Sequence, residues 1–181
     1  MTRCKWCNLD NPLYVEYHDK EWGVLNLDDS YLFEMLILES FQAGLSWECI
    51  LNKRENFRKA FDNFDPNLIS KYDEQKINAL MLDKEIIRNK LKIKAAINNA
   101  SIFLKIQKEY ESFKNYILKF TKGKIIYECD KTTNKLSDDI SEDLKKRGMK
   151  FVGSTIIYSY LQAIGVINSH DEMCFLHVKA L

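Results

Sequence analysis

The stretch Asp28-Asp29-Ser30-Tyr31-Leu32-Phe33-Glu34-Met35-Leu36-Ile37-Leu38-Glu39 reads as a helix with its start signal attached. Short polar side chains at 28–30 accept hydrogen bonds from the first free backbone N–H groups, and an apolar run follows without strand-like alternation. Downstream, a second helix is predicted from about Ser46 through Ala60, with Ile50, Leu51, Phe57 and Phe61 spaced for one face. Asp65-Pro66 is a cap followed by proline at the first helical position, so a third begins there. Asp73 caps a fourth carrying Ile77, Leu80 and Met81, and further helices are expected over Leu91–Ile106 and Phe113–Phe120. Gly123–Lys135 is the expected long loop. Ser137–Arg147 resumes as a polar helix ended by Gly148, and Phe151–Ile164 is expected as the central helix, closed by Gly165. No alternating segment is long enough to argue for a sheet. The expected class is all-α, in a single domain over 1–181.

Composition agrees. The chain has 181 residues, 46% of them hydrophobic, with only two prolines and six glycines. It is long enough to bury a core without disulfides, and so few breakers favour long helices. Lys plus Arg number 27 against 26 Asp plus Glu, so net charge does not announce a nucleic-acid binder, although a local patch can still be one. The N-terminus lacks an apolar signal segment. Runs such as Met35-Leu36-Ile37-Leu38 fall far short of the roughly 20 residues a membrane span needs. A cytoplasmic protein with no membrane partner is expected. In that setting the five cysteines read as metal ligands or core residues rather than bridges.

Two constellations stand out. Of the three histidines, His18 lies near one end and His170 near the other. If the tail is helical, His170 and Cys174 share one face about 6 Å apart at Cβ, and Cys4 with His18 would complete a tetrahedral set suited to zinc. Cys7, in Cys4-Lys5-Trp6-Cys7, and His177 are alternative ligands on spacing alone. The other constellation is Glu39 followed by Gln42-Ala43-Gly44-Leu45-Ser46-Trp47, with Tyr14, Tyr17 and Trp22 upstream. Aromatic rings and one acid are what a pocket for a flat heterocycle needs, although aromatic stripes are more often plain core. Three basic clusters complete the inventory: Lys84, Arg88, Lys90, Lys92 and Lys94; Lys145-Lys146-Arg147 with Lys150; and Lys53-Arg54 with Arg58-Lys59. Each alone is commonly a solvated face, but converging they would suit phosphates.

Taken in order, the motifs resemble the bacterial 3-methyladenine DNA glycosylase I family of the helix-hairpin-helix glycosylase superfamily. They are Pro12-Leu13-Tyr14, Tyr17-His18-Asp19, Glu21-Trp22-Gly23, Leu32-Phe33-Glu34-Met35, Leu38-Glu39, Gln42-Ala43-Gly44-Leu45-Ser46-Trp47, Lys53-Arg54-Glu55-Asn56, Phe64-Asp65-Pro66, Ile86-Ile87-Arg88, Leu144-Lys145-Lys146-Arg147-Gly148, Lys150-Phe151-Val152-Gly153, and Asn168 with His170 and Cys174. The resemblance implies a helical glycosylase fold with a hairpin at about 74–100. It implies one structural zinc per chain on Cys4, His18, His170 and Cys174, clipping 1–18 to 170–174, with Cys7 excluded. It implies that Glu39 is the catalytic-site acid, that Tyr14, Tyr17, Trp22 and Trp47 hold the base, and that Gln42, Gly44 and Leu45 enter the duplex. Arg88 and Lys90 would meet DNA beside them. The implied activity is monofunctional hydrolysis of the N-glycosidic bond of 3-methyladenine in double-stranded DNA by a monomer, leaving an abasic site and free base. A zinc-stapled DNA-binding module without catalysis and a hydrolase with a catalytic zinc are the rival classes. Three features depart from the pattern: 74–100 contains no glycine, Phe41 is large and apolar beside the intruding loop, and 122–135 and the tail beyond Cys174 match poorly.

Overall fold

The computed structural model describes residues 1–178. Its elements in chain order are α1 (Pro12–Lys20), α2 (Asp29–Gln42), α3 (Trp47–Leu51), α4 (Arg54–Ala60), a 3-10 turn (Asp62–Phe64), α5 (Pro66–Ile69), α6 (Glu74–Leu82), α7 (Lys90–Tyr110), α8 (Phe113–Thr121), β1 (Ile126–Tyr127), α9 (Lys135–Lys146), α10 (Ser154–Ala163) and β2 (Ile167–Asn168). The all-α expectation holds but for one short parallel pair, in which Ile126 faces Ile167 and Tyr127 faces Asn168. Half of that pair lies in the segment expected to be loop.

Caps behave as the sequence suggests. Asp28 accepts from the N–H groups of Ser30 and Tyr31, Asp73 from Lys76, and Asn134 forms a capping box with Ser137. The expected helix over 46–60 is instead two. The chain turns at Asn52-Lys53, where the N–H of Lys53 bonds to Ile50 and the Asn52 side chain is drawn off to Asn11. The central helix is α2, not 151–164: every residue from Leu32 to Phe41 is buried. A helix apolar all round must be enclosed on all sides. By contrast, α10 begins only at Ser154, and Ser154, Ser159 and Gln162 keep one face polar. Gly165 follows α10 with φ +74°, where a Cβ would sit 2.1 Å from the backbone of Val24. Only glycine fits, and the approach brings the segment after α1 against the end of α10. Among the described residues no helix is long and apolar enough to cross a membrane.

Candidate active site and metal centre

Asn11 caps α1, with Pro12 at its first position, and the spacing of Tyr14, Tyr17 and His18 puts all three on its buried face. His18 meets Cys4, His170 and Cys174 in a wholly buried cluster whose ligand atoms lie within 4.8 Å of one another. The Cys4 Sγ lies 3.4 Å from His170 Nδ1, and the Cys174 Sγ lies 3.5 Å from both His18 Nε2 and His170 Nδ1. Tetrahedral zinc with ordinary bond lengths sets sulfur and nitrogen about 3.6 Å apart. The outer ring nitrogens are also arranged for a metal. His18 Nδ1 donates to Asp19 at 2.8 Å and His170 Nε2 to the Trp22 carbonyl at 3.2 Å, which turns a lone pair inward on each ring. Burial pushes His170 down to about 4, keeping it in the neutral form that binds metals. Backbone N–H groups of Asp171 and Leu176 point at the two sulfurs. These donors fit one zinc ion. Cys7 and His177 lie outside the cluster, contacting the carbonyls of Tyr14 and His170.

His170 and Cys174 are not joined by a helix, contrary to the expected i, i+4 face. The Cys174 N–H bonds to Asp171 in a turn, and Asp171 Oδ2 accepts from the Lys5 N–H at 2.7 Å, which pulls the tail onto the N-terminal segment. Asp19 is itself gripped by Arg3 at 2.6 and 2.8 Å, and that hydrogen bond holds its carboxyl down to about 2. Asp19→Asn should lower metal affinity about 10- to 100-fold in competition with a chromophoric chelator, as loss of an outer-sphere partner does. Equal affinity would mean that Asp19 does not orient His18.

Beside the cluster is a cavity of about 260 Å³ lined by Tyr14, Tyr17, Trp22, Glu39, Gln42 and Trp47. All five residues expected to bind or act on a base are therefore together. Tyr17 and Trp47 pack against each other with centroids 5.3 Å apart and ring planes tilted by 47°. Sequence reasoning missed Trp6, Asp130, Ser159, Gln162, Ser169 and Asp171, which complete the lining. Trp6 was legible as the aromatic between two cysteines. Asp130 lies in the segment expected to be a long loop. Pocket and metal cluster share a wall: Trp6 packs on His18 at 5.3 Å and on Trp22 at 4.8 Å, and Trp22 sits edge-on to His170 at 4.8 Å.

Glu39, in the last turn of α2, is 3% exposed, and among the described residues its Oε2 has no partner; Trp47 Nε1 is likewise buried without an acceptor there. Burial alone pushes the Glu39 carboxyl up to about 8, so the free protein holds it largely neutral at pH 7. After α2 the chain turns over Gln42–Leu45. Ala43 has φ −46° and ψ 113°, Gly44 has φ +79°, and the Leu45 N–H bonds back to Gln42 at 2.6 Å. This is the type II pattern, which requires glycine at its third residue. Leu45 is left 41% exposed at the tip. Phe41 points the other way, into the core against Phe57 and Phe61, which accounts for its size.

The basic clusters thin out. Arg54 is buried between Glu21 and Glu34, Arg58 pairs with Glu34 and Glu55, and Arg147 pairs with Glu109 and Asp143. Lys92 is buried with both hydrogen bonds going to backbone carbonyls. Arg88, Lys90 and Lys150 remain at the surface, Lys90 with Glu74 3.4 Å away.

The model of the family described as methyladenine glycosylase matches residues 6–177. The chain is 44% identical over 181 residues to DNA-3-methyladenine glycosylase 1 of Escherichia coli and 38% identical over 179 to DNA-3-methyladenine glycosylase of Haemophilus influenzae, with 96% of each chain covered in both cases. Among solved structures, 3-methyladenine DNA glycosylase I of Staphylococcus aureus superposes with a TM-score of 0.93 at 33% identity, covering 100% of this chain and 99% of that one. A variant of such an enzyme in complex with 3-methyladenine superposes with a TM-score of 0.92 at 33% identity, covering 99% of each chain. With its fold and nearly its whole length matched, this chain belongs to the methyladenine glycosylase family.

Proposed function

We propose that this chain is a monofunctional DNA glycosylase that hydrolyses the N-glycosidic bond of 3-methyladenine in alkylated DNA and leaves an abasic site. The observation that carries the reading is Glu39: a buried carboxyl with a free oxygen, inside an aromatic box of nucleobase size. A base in a duplex must leave the stack before it can be cut, at a cost of about a few kcal/mol. Methylation at N3 fixes a positive charge on the ring, which suits stacking on Tyr17 and Trp47. Glu39 accepts from the exocyclic N–H groups and, once ionised, opposes that charge. Leu45 and Gln42, beside the cavity mouth, occupy the gap left in the duplex. The cationic base is already a good leaving group, so water captures the sugar as it develops oxocarbenium character. Among the described residues no lysine lines the cavity to form a covalent intermediate, which favours a reaction that leaves the strand uncut. The test is release of free base from methylated duplex DNA; a DNA-binding module without catalysis would bind an abasic duplex and release nothing.

Cys4, His18, His170 and Cys174 would hold a zinc ion, which supplies a cross-link between the chain ends. Four protein ligands leave no open position for a substrate, which favours a structural over a catalytic metal. The meeting of both ends at one ion supports a single domain.

For DNA, two bends face solvent with positive charge. Residues 83–89, between α6 and α7, carry Arg88 with Lys90 beside it. Residues 147–153 join α9 and α10. There the carbonyls of Gly148, Lys150, Phe151 and Val152 accept from Asn98, Asn99, Ser40 and Ser141, while the N–H groups of Phe151, Val152 and Gly153 make no hydrogen bond among the described residues. Successive backbone donors left free in a bend of this kind hold phosphate. We therefore read 147–153 as the phosphate-binding hairpin that was expected at about 74–100, with Arg88 and Lys90 as auxiliary contacts. Arg88→Glu or Lys90→Glu should reduce the salt dependence of abasic-duplex binding by about one unit of log–log slope. An unchanged slope removes that bend from the interface.

A further inference from the structure

Two members of the basic clusters turn inward, Arg54 onto Glu21 and Glu34, and Lys92 onto backbone. Lys92 is 7% exposed, and its Nζ donates to the carbonyl of Phe41 at 2.8 Å and to that of Ala43 at 2.5 Å. No carboxylate pairs with it among the described residues. These two carbonyls lie at the C-terminal end of α2, where the Leu45 N–H returns to Gln42 and no following backbone N–H reaches Phe41 or Ala43 among the described residues. A cation there satisfies carbonyls that are otherwise orphaned and opposes the negative end of the helix dipole.

The second bond does more. Ala43 is the second residue of the Gln42–Leu45 turn, and type I and type II turns differ by the flip of the peptide that follows that residue. Its carbonyl therefore points to opposite sides in the two forms. By holding the Ala43 oxygen against α7, the Lys92 ammonium selects the type II form, and with it the direction in which Gln42 and Leu45 are presented. The same helix holds the 147–153 bend through Asn98 and Asn99, so α7 fixes the spacing of the turn and the bend. We infer that Lys92 is a positioning residue for DNA engagement: its ammonium locks the turn that carries Leu45 into the conformation that enters the duplex.

The inference rests on the reading of Gln42–Leu45 as the duplex-entering turn, and a double-mutant cycle separates the two. Lys92→Met keeps the stem and removes the donors. It should weaken binding to an abasic-site duplex about tenfold or more, the scale of two charge-assisted hydrogen bonds. Binding of free 3-methyladenine should stay within about twofold. Leu45→Ala should itself weaken duplex binding, and in that background Lys92→Met should add little, because its effect passes through the placement of Leu45. If Leu45→Ala leaves duplex binding unchanged, the reading of the turn fails and the inference with it. If Leu45→Ala weakens binding and Lys92→Met does not, or the two add in full, the inference alone is overturned. It is overturned equally if free-base binding falls as far as duplex binding, because Lys92 would then merely support the fold. Should Lys92→Met not yield folded protein, Lys92→Gln, which removes the charge and shortens the reach to the two carbonyls, is carried through the same cycle and judged by the same outcomes.

Discussion

Replacing Cys174 with serine should release the metal and disable the base pocket with it. The four residues of the cluster come from distant parts of the sequence, Cys4 and His18 from one and His170 and Cys174 from the other. An ion among them closes a loop of nearly the whole chain, and its binding free energy is folding free energy. Metal content should fall from about one per chain to near zero. Each kcal/mol lost moves the melting temperature of a domain this size by about 2–4 °C, so a loss of several should lower it by roughly 10 °C or more. The pocket should suffer beyond that. Trp22 gives its carbonyl to His170 and its ring to the cavity, and Trp6 lies on His18, so freeing the imidazoles loosens two walls. Binding of free 3-methyladenine should become undetectable by calorimetry. Cys7→Ser should leave metal, melting temperature and binding as they are. The ligand set is wrong if Cys7→Ser strips the metal while Cys174→Ser keeps it. Normal base binding by metal-free Cys174→Ser protein would sink the shared-wall argument.

What the sequence shows of this molecule is what neighbours in sequence decide. Asp28, Asp73 and Gly165 mark real helix boundaries because capping and left-handed termination act over a few residues. By the same logic α1 was legible: Asn11-Pro12 carries the signal read at Asp65-Pro66, yet the former opens two turns of helix and the latter only one. The residues that line the cavity and those of the Cys/His cluster were legible through ordered motifs, since residue types and spacings survive where contacts cannot be seen. Other features depend on what the chain meets after folding. Nothing near Lys92 in sequence distinguishes it from Lys90 and Lys94, and its burial is decided by the end of α2 arriving against α7. Arg54 looked like surface charge until Glu21 and Glu34 enclosed it. Ile126 and Ile167 pair only because the chain returns there after α10, and no alternation in two-residue strands could announce it.

Glu39→Gln should slow excision of 3-methyladenine by about 10- to 100-fold at pH 8, the rate equivalent of a charge-assisted hydrogen bond worth about 1.5–3 kcal/mol. The pH dependence is the sharper measurement. Burial raises the Glu39 carboxyl from the ordinary 4.5 to about 8, so below pH 8 the free protein carries it mostly neutral. The charge on a 3-methyladenine nucleotide is fixed by the methyl group, so the anionic form of Glu39 is the one that pairs with it. Docking the lesion below pH 8 must then expel a proton, and the apparent rate at subsaturating enzyme should climb by up to about tenfold per pH unit and level off near 8. The Gln variant has no proton to lose there, and its profile should be flat over the same range. Stability should run the opposite way. A carboxyl whose pKa is higher folded than unfolded contributes its stability fully below 4.5 and loses it as pH rises through 8, at about 1.4 kcal/mol per unit of difference. At pH 8.5 the Gln variant, which buries no charge, should therefore melt higher than the parent, and the gap should close towards pH 5. Metal content should be the same in both, since Glu39 lies outside the Cys/His cluster. A variant that excises as fast as the parent across the range, or a parent whose own profile is flat between pH 6 and 8, would return Glu39 to the status of a buried helix-end acid.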